Sequence, residues 1–352
     1  MRALTASCLL VVFLVACPGP EETPDAGSTD AGRVDAGAAD AGVADAGSQD
    51  DGGSDAGAPD AGAADAGARL EVTGLSVGIS TDRRQVVLAW TGNAARVRVL
   101  RTLNAAASGP FDAAAQVVFD GAASGASERV DALLPEVAGA PRRYTYSAFG
   151  CDGANCGAAA TADLTLSLTQ ALQGGGYTLF WRHASASTCG DALQLGTAAT
   201  TMSPGWWKSC DPVCATATAR QLTPPTSDAE IAAVRTYFMT RSIAVSRVLS
   251  SEYCRCVATA TGFQLGPTVE QRPELTYYVY DEANRCRDSR ALINVAPTAG
   301  TNVALVGHAG FPASCDPLDS LVWGEAAVFK PQPGGSPLLV TRVLAAQWAG
   351  LP

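Results

Sequence analysis

Four rhythms of apolar and polar positions follow one another along the chain. Leu9 to Ala16 is apolar without a break, and residues 25 to 67 then repeat every five positions with no apolar side chain larger than valine. From about residue 70 the pattern changes to alternation with period two, in Gln85-Val-Val-Leu-Ala-Trp90, Arg96-Val-Arg-Val-Leu-Arg101 and Tyr144-Thr-Tyr-Ser-Ala-Phe149. Gly, Asn, Asp and Pro turns separate these runs, so residues 70–168 are expected to form an all-β domain of short strands. From about Leu172 short apolar strands alternate with helical patterns. Tyr177–Trp181, Arg247–Ser250 and Asn302–Val306 are the predicted strands. Ser227-Asp-Ala-Glu230 has the form of a capping box, with Ser227 as N-cap and Glu230 at N3. Ile231, Val234 and Phe238 then share one helical face as far as Arg241, and a further helix is expected to carry Arg255.

The strand ends hold the chemistry. In open α/β sheets ligands bind beyond the carboxyl ends of the strands, and there the chain places Arg182-His183, Arg255 and Gly307-His308. His183 and His308 are the two histidines of the sequence. Arginine's planar fork binds phosphate oxygens in a bidentate manner, and a neutral imidazole can attack phosphorus. A phosphomonoester, a dianion near neutral pH, is therefore the ligand this residue set fits.

Composition narrows the reading. Of the net charge of −10, all is accounted for between Pro18 and Arg69, where twelve Asp/Glu face two Arg, so the rest of the chain is balanced. No basic face points to nucleic acid. The repeat, Asp-Ala-Gly in nearly every unit, has too little apolar surface to offset chain entropy and is expected to be a disordered acidic tether over 18–69. Such a coil of 52 residues would span roughly 40 Å. The apolar run at the N-terminus is too short to cross a bilayer but suits a signal-peptide core. It ends in Leu14-Val-Ala-Cys17, which resembles a bacterial lipobox. That resemblance implies cleavage, lipidation of Cys17 and a protein anchored in the cell envelope, at an outer membrane or cell surface.

Beyond Cys8 and Cys17 nine cysteines remain, and in an oxidising compartment most are expected to pair, with an odd one left over. Cys151 and Cys156 stand close enough to close a small loop. Cys254 and Cys256, which flank Arg255, are too near each other to pair without strain, so partners elsewhere are expected. No CxxC pair or zinc-finger-like histidine spacing is present, and no metal or cofactor is called for.

Two family resemblances rest on these residues. Trp90 early and Tyr144 late, after Leu134-Pro135, resemble a fibronectin type III-like sandwich with a tyrosine corner. Arg182-His183-Ala184 resembles the Arg-His-Gly signature of the histidine phosphatase superfamily. Ser250-Ser-Glu-Tyr-Cys-Arg255-Cys-Val-Ala-Thr259-Ala is similar to its Ser-Ser-x-x-x-Arg-x-x-x-Thr-Ala segment, and Leu305-Val-Gly-His308 to its later histidine motif. Arg220-Gln-Leu-Thr223 and Gly324-Glu325-Ala-Ala-Val-Phe329 have look-alikes there too. The resemblance covers about 172–352 and implies a three-layer α/β phosphatase domain. In it His183 is the phosphoryl acceptor, Arg182 and Arg255 clamp the phosphate, His308 donates hydrogen bonds, in protonated form adding charge, and Arg220 is a further substrate contact.

The chain departs from the family pattern in three ways. Ala184 replaces glycine and is expected to narrow the pocket. Ala309 stands where one branch has its acidic residue. The general acid is therefore sought among Glu270, Glu274 and Asp281, with Glu270 favoured. The expected whole is a multidomain lipoprotein: signal and lipobox (1–17), tether (18–69), β-sandwich (70–168) and histidine phosphatase domain (172–352), hydrolysing a small phosphorylated substrate. A sugar-phosphate mutase, a catalytically weak phospho-ligand-binding module and an adhesion protein on the same fold are the alternatives. The insertion from Thr188 to Ala219, with Trp206 and Trp207 read as packing rather than a lid, is where specificity is expected.

Overall fold

Period-two burial builds the first half of the described molecule. In the strand Gln85–Gly92 (β2), Val86, Leu88 and Trp90 are buried while Val87 and Ala89 face out. The computed structural model describes residues 70–187, 205–208, 210, 220–277 and 279–352. The lipobox with Cys17, the tether and most of the 188–219 insertion lie outside the described residues. Around β2 are β1 (Val72–Ile79), β3 (Arg96–Leu103), β4 (Gln116–Gly121), β5 (Gly125–Arg129), β6 (Arg143–Asp152) and β7 (Asn155–Thr165). They form two antiparallel sheets, ordered β1-β2-β5 and β4-β3-β6-β7. Trp90 packs against Phe119 between them, ring centroids 5.5 Å apart. The Tyr144 hydroxyl accepts from the Leu134 backbone N–H at 2.9 Å, tying the turn ten residues upstream to β6. This is a β-sandwich, as the alternation predicted.

A short helix α1 (Leu168–Gly174), capped by Ser167 and Gln170, straddles the boundary expected at 168–172. It leads into a six-stranded mixed sheet. The strands are β8 (Thr178–Arg182), β9 (Val245–Ser250), β10 (Val269–Gln271), β11 (Asn302–Gly307), β12 (Ala326–Lys330) and β13 (Leu338–Val343). Their order is β10-β9-β11-β8-β12-β13, with β8, β9, β10 and β11 parallel to one another and β12 antiparallel to both its neighbours, β8 and β13. The strands are apolar on both sides because both faces are covered. Leu179, Trp181, Val248, Ala304 and Val306 face a cluster with α2 (Thr226–Thr240) and α3 (Cys254–Phe263). Phe180, Leu249, Val303 and Leu305 face the opposite cluster, which includes Ile293 of α4 (Glu282–Ile293) and Phe311, Leu318 and Leu321 from a long loop. Helices on both faces make the domain three-layered.

One expectation fails in detail. Ser227 does not cap α2. The helix begins at Thr226 after Pro225, and no side chain caps its N-terminus. Ser227 is fully buried instead, and Glu230 is used elsewhere, as described below. The sandwich and the α/β sheet share a core. One continuous cluster runs from Trp90 and Tyr146 through Leu133 and Tyr177 to Trp181 and Trp348, and the Tyr177 hydroxyl donates to the Leu133 carbonyl at 3.2 Å.

Three disulfides are described: Cys151–Cys156, Cys210–Cys254 and Cys286–Cys315. The first closes the small loop anticipated from sequence. The second gives Cys254 a partner from the insertion, and the third ties α4 to the loop after β11. Loop-closure entropy makes their contributions unequal. The Cys286–Cys315 bridge spans 29 residues and the Cys151–Cys156 bridge only 5. The double variant Cys286→Ser/Cys315→Ser should thus lose about 3–4 kcal/mol of unfolding free energy, against about 2 kcal/mol for Cys151→Ser/Cys156→Ser. Chemical denaturation of both variants beside the wild type checks the order; an equal or reversed loss would contradict it.

Candidate active site

The adjacency of β9, β11 and β8 builds the site. Their parallel register places Ser250 opposite Val306 and Gly307 opposite Arg182. The residues that follow each strand therefore emerge on one edge. The His183 N–H donates to the Gly307 carbonyl and the Ser251 N–H to the Val306 carbonyl, so the chain stays tied to β11 beyond both strand ends. A β-carbon on Gly307 would stand 2.7 Å from the Phe180 ring, so glycine is required where the two histidine-bearing strands run side by side. Helix α3 starts at the same edge and brings in Arg255 from its first turn. Arg220 arrives by another route: residues 220–223 pair with 185–187, through Ser187 N–H to Gln221 O and Thr223 N–H to Ser185 O.

These side chains converge on a cavity of about 240 Å³ lined by Arg182, His183, Arg220, Arg255 and His308. Tyr277, Ala309, Gly310 and Asp319 complete its wall. All four residues assigned to catalysis from sequence, and Arg220, thus stand together. Glu270 does not. It lies on the edge strand β10 and pairs with Arg247 at 2.7 Å, which holds its carboxyl below the usual range. Glu274 pairs with Arg272, and Asp281 caps α4 by accepting from Ala283 N–H. The acids sought between β9 and α4 are thus all engaged elsewhere, and none lines the cavity. Asp319, which the sequence reading passed over, is the carboxylate that lines the cavity among the described residues. Its only sequence signal is a carboxylate between Leu318 and Leu321, both buried.

Hydrogen bonds specify the state of each imidazole. His183 Nδ1 is 2.8 Å from its neighbour's carbonyl, Ala184 O, so Nδ1 carries the proton. Nε2 then keeps a lone pair, which accepts from Arg255 Nε–H at 3.0 Å. Burial, and next the Arg255 charge, hold the His183 pKa well below its usual value. His308 presents the opposite tautomer. Its Nδ1 faces Arg255 Nη2 at 3.4 Å, and its Nε2 lies 2.9 Å from Ser251 Oγ and 3.3 Å from Cys256 Sγ. Burial and then Arg255 also lower the His308 pKa well below the usual range, so the protonated His308 anticipated from sequence is not the form of the ligand-free site.

The surroundings hold this arrangement. Arg255 lies over the Tyr253 ring at 4.3 Å, and the Tyr253 ring packs on His308 and on Trp206. Trp206 is accordingly a packing residue, as read from sequence. Arg182 stacks over Trp323 and donates from Nη1 to Leu321 O at 2.9 Å, while its buried Nε has no hydrogen-bond partner. Glu230, the presumed capping-box residue, accepts instead from both the N–H and the hydroxyl of Ser185, each at 2.6 Å. The Cys210–Cys254 bridge lies against the Arg220 carbonyl, 3.4 Å from Cys210 Sγ, next to Arg255. Ala184 does not narrow the pocket. Its N–H donates to Thr259 Oγ1, and its methyl is buried in the core rather than in the cavity wall. Among the described residues no three His, Cys, Asp or Glu side chains gather as a cation site.

No family model matches this sequence, and no curated protein matches it. Solved structures do show likeness. The protein histidine phosphatase SixA, complexed with tungstate, is 16% identical over 49% of this chain and 98% of its own, at a TM-score of 0.33. A phosphoserine phosphatase of Entamoeba histolytica, in complex with 3-phosphoglyceric acid, is 11% identical over 47% of this chain and 95% of its own, at 0.29. A structure described as FN3tt mut covers 27% of this chain and 91% of its own, with 15% identity and a TM-score of 0.20. At such TM-scores these likenesses by themselves decide nothing about this chain's activity.

Because both histidines of the sequence sit in this cavity, their titration reports on it alone. A buried imidazole with a lowered pKa must gain its proton on unfolding when the pH is below the unfolded value of about 6.5. The unfolded state then binds more protons, so stability is full above about pH 6.5 and falls as the pH drops below it, by up to about 1.4 kcal/mol per pH unit for each histidine. Urea unfolding between pH 5.5 and 8 should reveal this slope, and His183→Gln/His308→Gln should flatten it. A slope unchanged in the double variant would disprove the assignment.

Proposed function

We propose that residues 172–352 form a phosphomonoester hydrolase of the histidine phosphatase type, acting through a phosphohistidine on His183. The observation that carries this reading is the Nε2 lone pair of His183, kept available by the Nδ1–H bond to Ala184 O and by an arginine that excludes a proton. A neutral nitrogen aimed among guanidiniums is a nucleophile for an electrophile that arrives with negative charge. Arg182, Arg220 and Arg255 would neutralise the phosphoryl oxygens, and the Arg182 Nε, buried without a partner, has a donor to spend on one of them. Donors preorganised in this way are each worth about 3–4 kcal/mol in the transition state. His308 joins them once the bound phosphoryl dianion favours its protonation from solvent: Nε2–H stays with Ser251 and Nδ1–H becomes a donor. The guanidiniums of Arg182, Arg220 and Arg255 around the cavity disfavour a divalent cation there, and the proposed route uses none. A cavity of about 240 Å³ admits the phosphoryl group and a small part of the leaving group.

For the whole chain we propose an exported lipoprotein of the cell envelope, anchored through Cys17. The acidic tether would carry the two folded parts away from the membrane, and the sandwich would be a fibronectin type III-like spacer. The two sheets of three and four strands and the Tyr144–Leu134 bond support that last assignment.

Brief incubation with ³²P-labelled phosphomonoester and an alkaline quench should leave acid-labile label on His183. His183→Ala should abolish label and turnover, and Arg255→Ala should lower kcat/KM by about 100-fold or more. EDTA should change nothing. Turnover that collapses with the chelator and returns with a divalent ion would refute the phosphohistidine route, and binding of phosphate without turnover would favour a binding module.

The anchor has its own check. Cys17→Ser should release the protein from membranes or leave the precursor uncleaved. Unchanged membrane retention with normal signal cleavage would remove the lipobox.

A further inference from the structure

From the loop between β11 and β12 we infer that Asp319 is the general acid and base of this site, an assignment that rests on the phosphohistidine reading. Asp319 lines the cavity that holds His183, and its Oδ1 is buried without a hydrogen-bond partner. A carboxylate oxygen held out of water and unpaired costs stability, so its retention opposite three arginines calls for a role with substrate present. Its position is closely held. Leu318 and Leu321 on either side are buried in the core. The Leu321 carbonyl accepts from Arg182, and the Asp319 carbonyl accepts from the N–H of Gly310, two residues beyond His308. Arg342 grips Ser320 through both its hydroxyl and its carbonyl, and Arg290 binds the Ser314 and Asp316 carbonyls. The Cys286–Cys315 bridge fastens the same loop to α4. The other carboxylates near the site are engaged: Glu230 with Ser185, Glu252 with Lys208 and Trp207, and Glu325 with Arg342.

The proton balance closes with these groups alone. The substrate enters as its monoanion and leaves that proton on Asp319. The Nε2 lone pair of His183 forms the N–P bond while the P–O bond to the leaving group breaks. The leaving oxygen keeps the bonding pair and takes the proton from Asp319. Water then attacks phosphorus and gives a proton to the Asp319 carboxylate. The N–P bond returns its pair to Nε2, and inorganic phosphate leaves as its monoanion with the Asp319 proton, which returns the carboxylate for the next substrate.

Leaving-group dependence separates this role from a structural one, with the full mature chain and substituted phenyl phosphates as probes. Protonation matters for phenyl phosphate, a poor leaving group, and hardly at all for 4-nitrophenyl phosphate. In Asp319→Asn the kcat/KM for phenyl phosphate should fall about 100-fold or more while that for 4-nitrophenyl phosphate changes by less than about threefold. With 4-nitrophenyl phosphate kcat should still drop and phosphoenzyme accumulate, because the attacking water has lost its base. Asp319→Glu should restore part of the phenyl phosphate rate. Equal losses for both probes, or none, would overturn the assignment. Should the Asn variant fail to fold, the wild type alone decides: a shallow dependence of kcat/KM on leaving-group acidity supports a general acid, and a steep one rules it out. A wild type inactive on both probes would instead sink the phosphatase reading, and this assignment with it.

Discussion

Arg255 Nε stands 3.0 Å from His183 Nε2, with both side chains almost wholly buried, and much of the molecule serves to keep them there. A permanent positive charge beside an imidazole in a dry site excludes the imidazole's own proton and so preserves a nucleophilic lone pair. The same charge, with Arg182 and Arg220, leaves the cavity short of anions. Arg182 itself has a pKa lowered by burial first and by Arg255 and Arg220 next. Gathering like charges in a buried site is costly, and a bound anion would offset that cost. The scaffold therefore has to hold these cations in place while the site is empty.

Three devices do this. Trp181, the residue before Arg182, is fully buried among Phe238, Phe263 and Trp348, with ring centroids 5.2 to 5.9 Å away. Its packing joins β8 to α2, α3 and the C-terminal turn, and so fixes where His183 leaves the sheet. Carboxylates outside the cavity fasten the loops around it: Glu230 holds Ser185, and Glu325, paired with Arg342 at 2.6 Å, also accepts from Val322 N–H. Gly324 has φ +69°, and a β-carbon there would stand 3.1 Å from Ala345 Cβ and 3.3 Å from the Glu230 carboxyl carbon, so the turn that feeds β12 favours a residue without a side chain. Finally, the Cys210–Cys254 and Cys286–Cys315 bridges sit next to Arg255 and in the Asp319 loop. Covalent links of this kind suit a site whose like charges would otherwise loosen the loops that carry them.

Much of this was legible in the sequence wherever it depends on neighbours along the chain. Val86, Leu88 and Trp90 alternate with outward-facing residues, and Ile231, Val234 and Phe238 share a helical face, because backbone periodicity alone puts them there. The convergence of Arg182, His183, Arg255 and His308 was legible too, since strand ends in a parallel sheet share an edge. The tautomer and the neutral state of His308 were not: each is set by an atom from another element, Ser251 Oγ or Arg255 Nη2.

The sequence by itself thus determined three strands of the sandwich, three of the α/β sheet, the helices α2 and α3 and which arginines and histidines stand at the strand ends, because these follow from local periodicity and from motifs that name side chains. Only the tertiary structure decided which carboxylate faces the cavity and what Glu230 and Ser227 do. Glu270 sits within twenty residues of Arg255 yet points away from an edge strand, while Asp319 is brought in by a loop folded back onto Arg182 and Gly310. Ser227 and Glu230 spell a capping box, yet burial claims one and Ser185 the other. A charged side chain goes where long-range packing lets it meet its partner, and no local pattern in the sequence records that meeting.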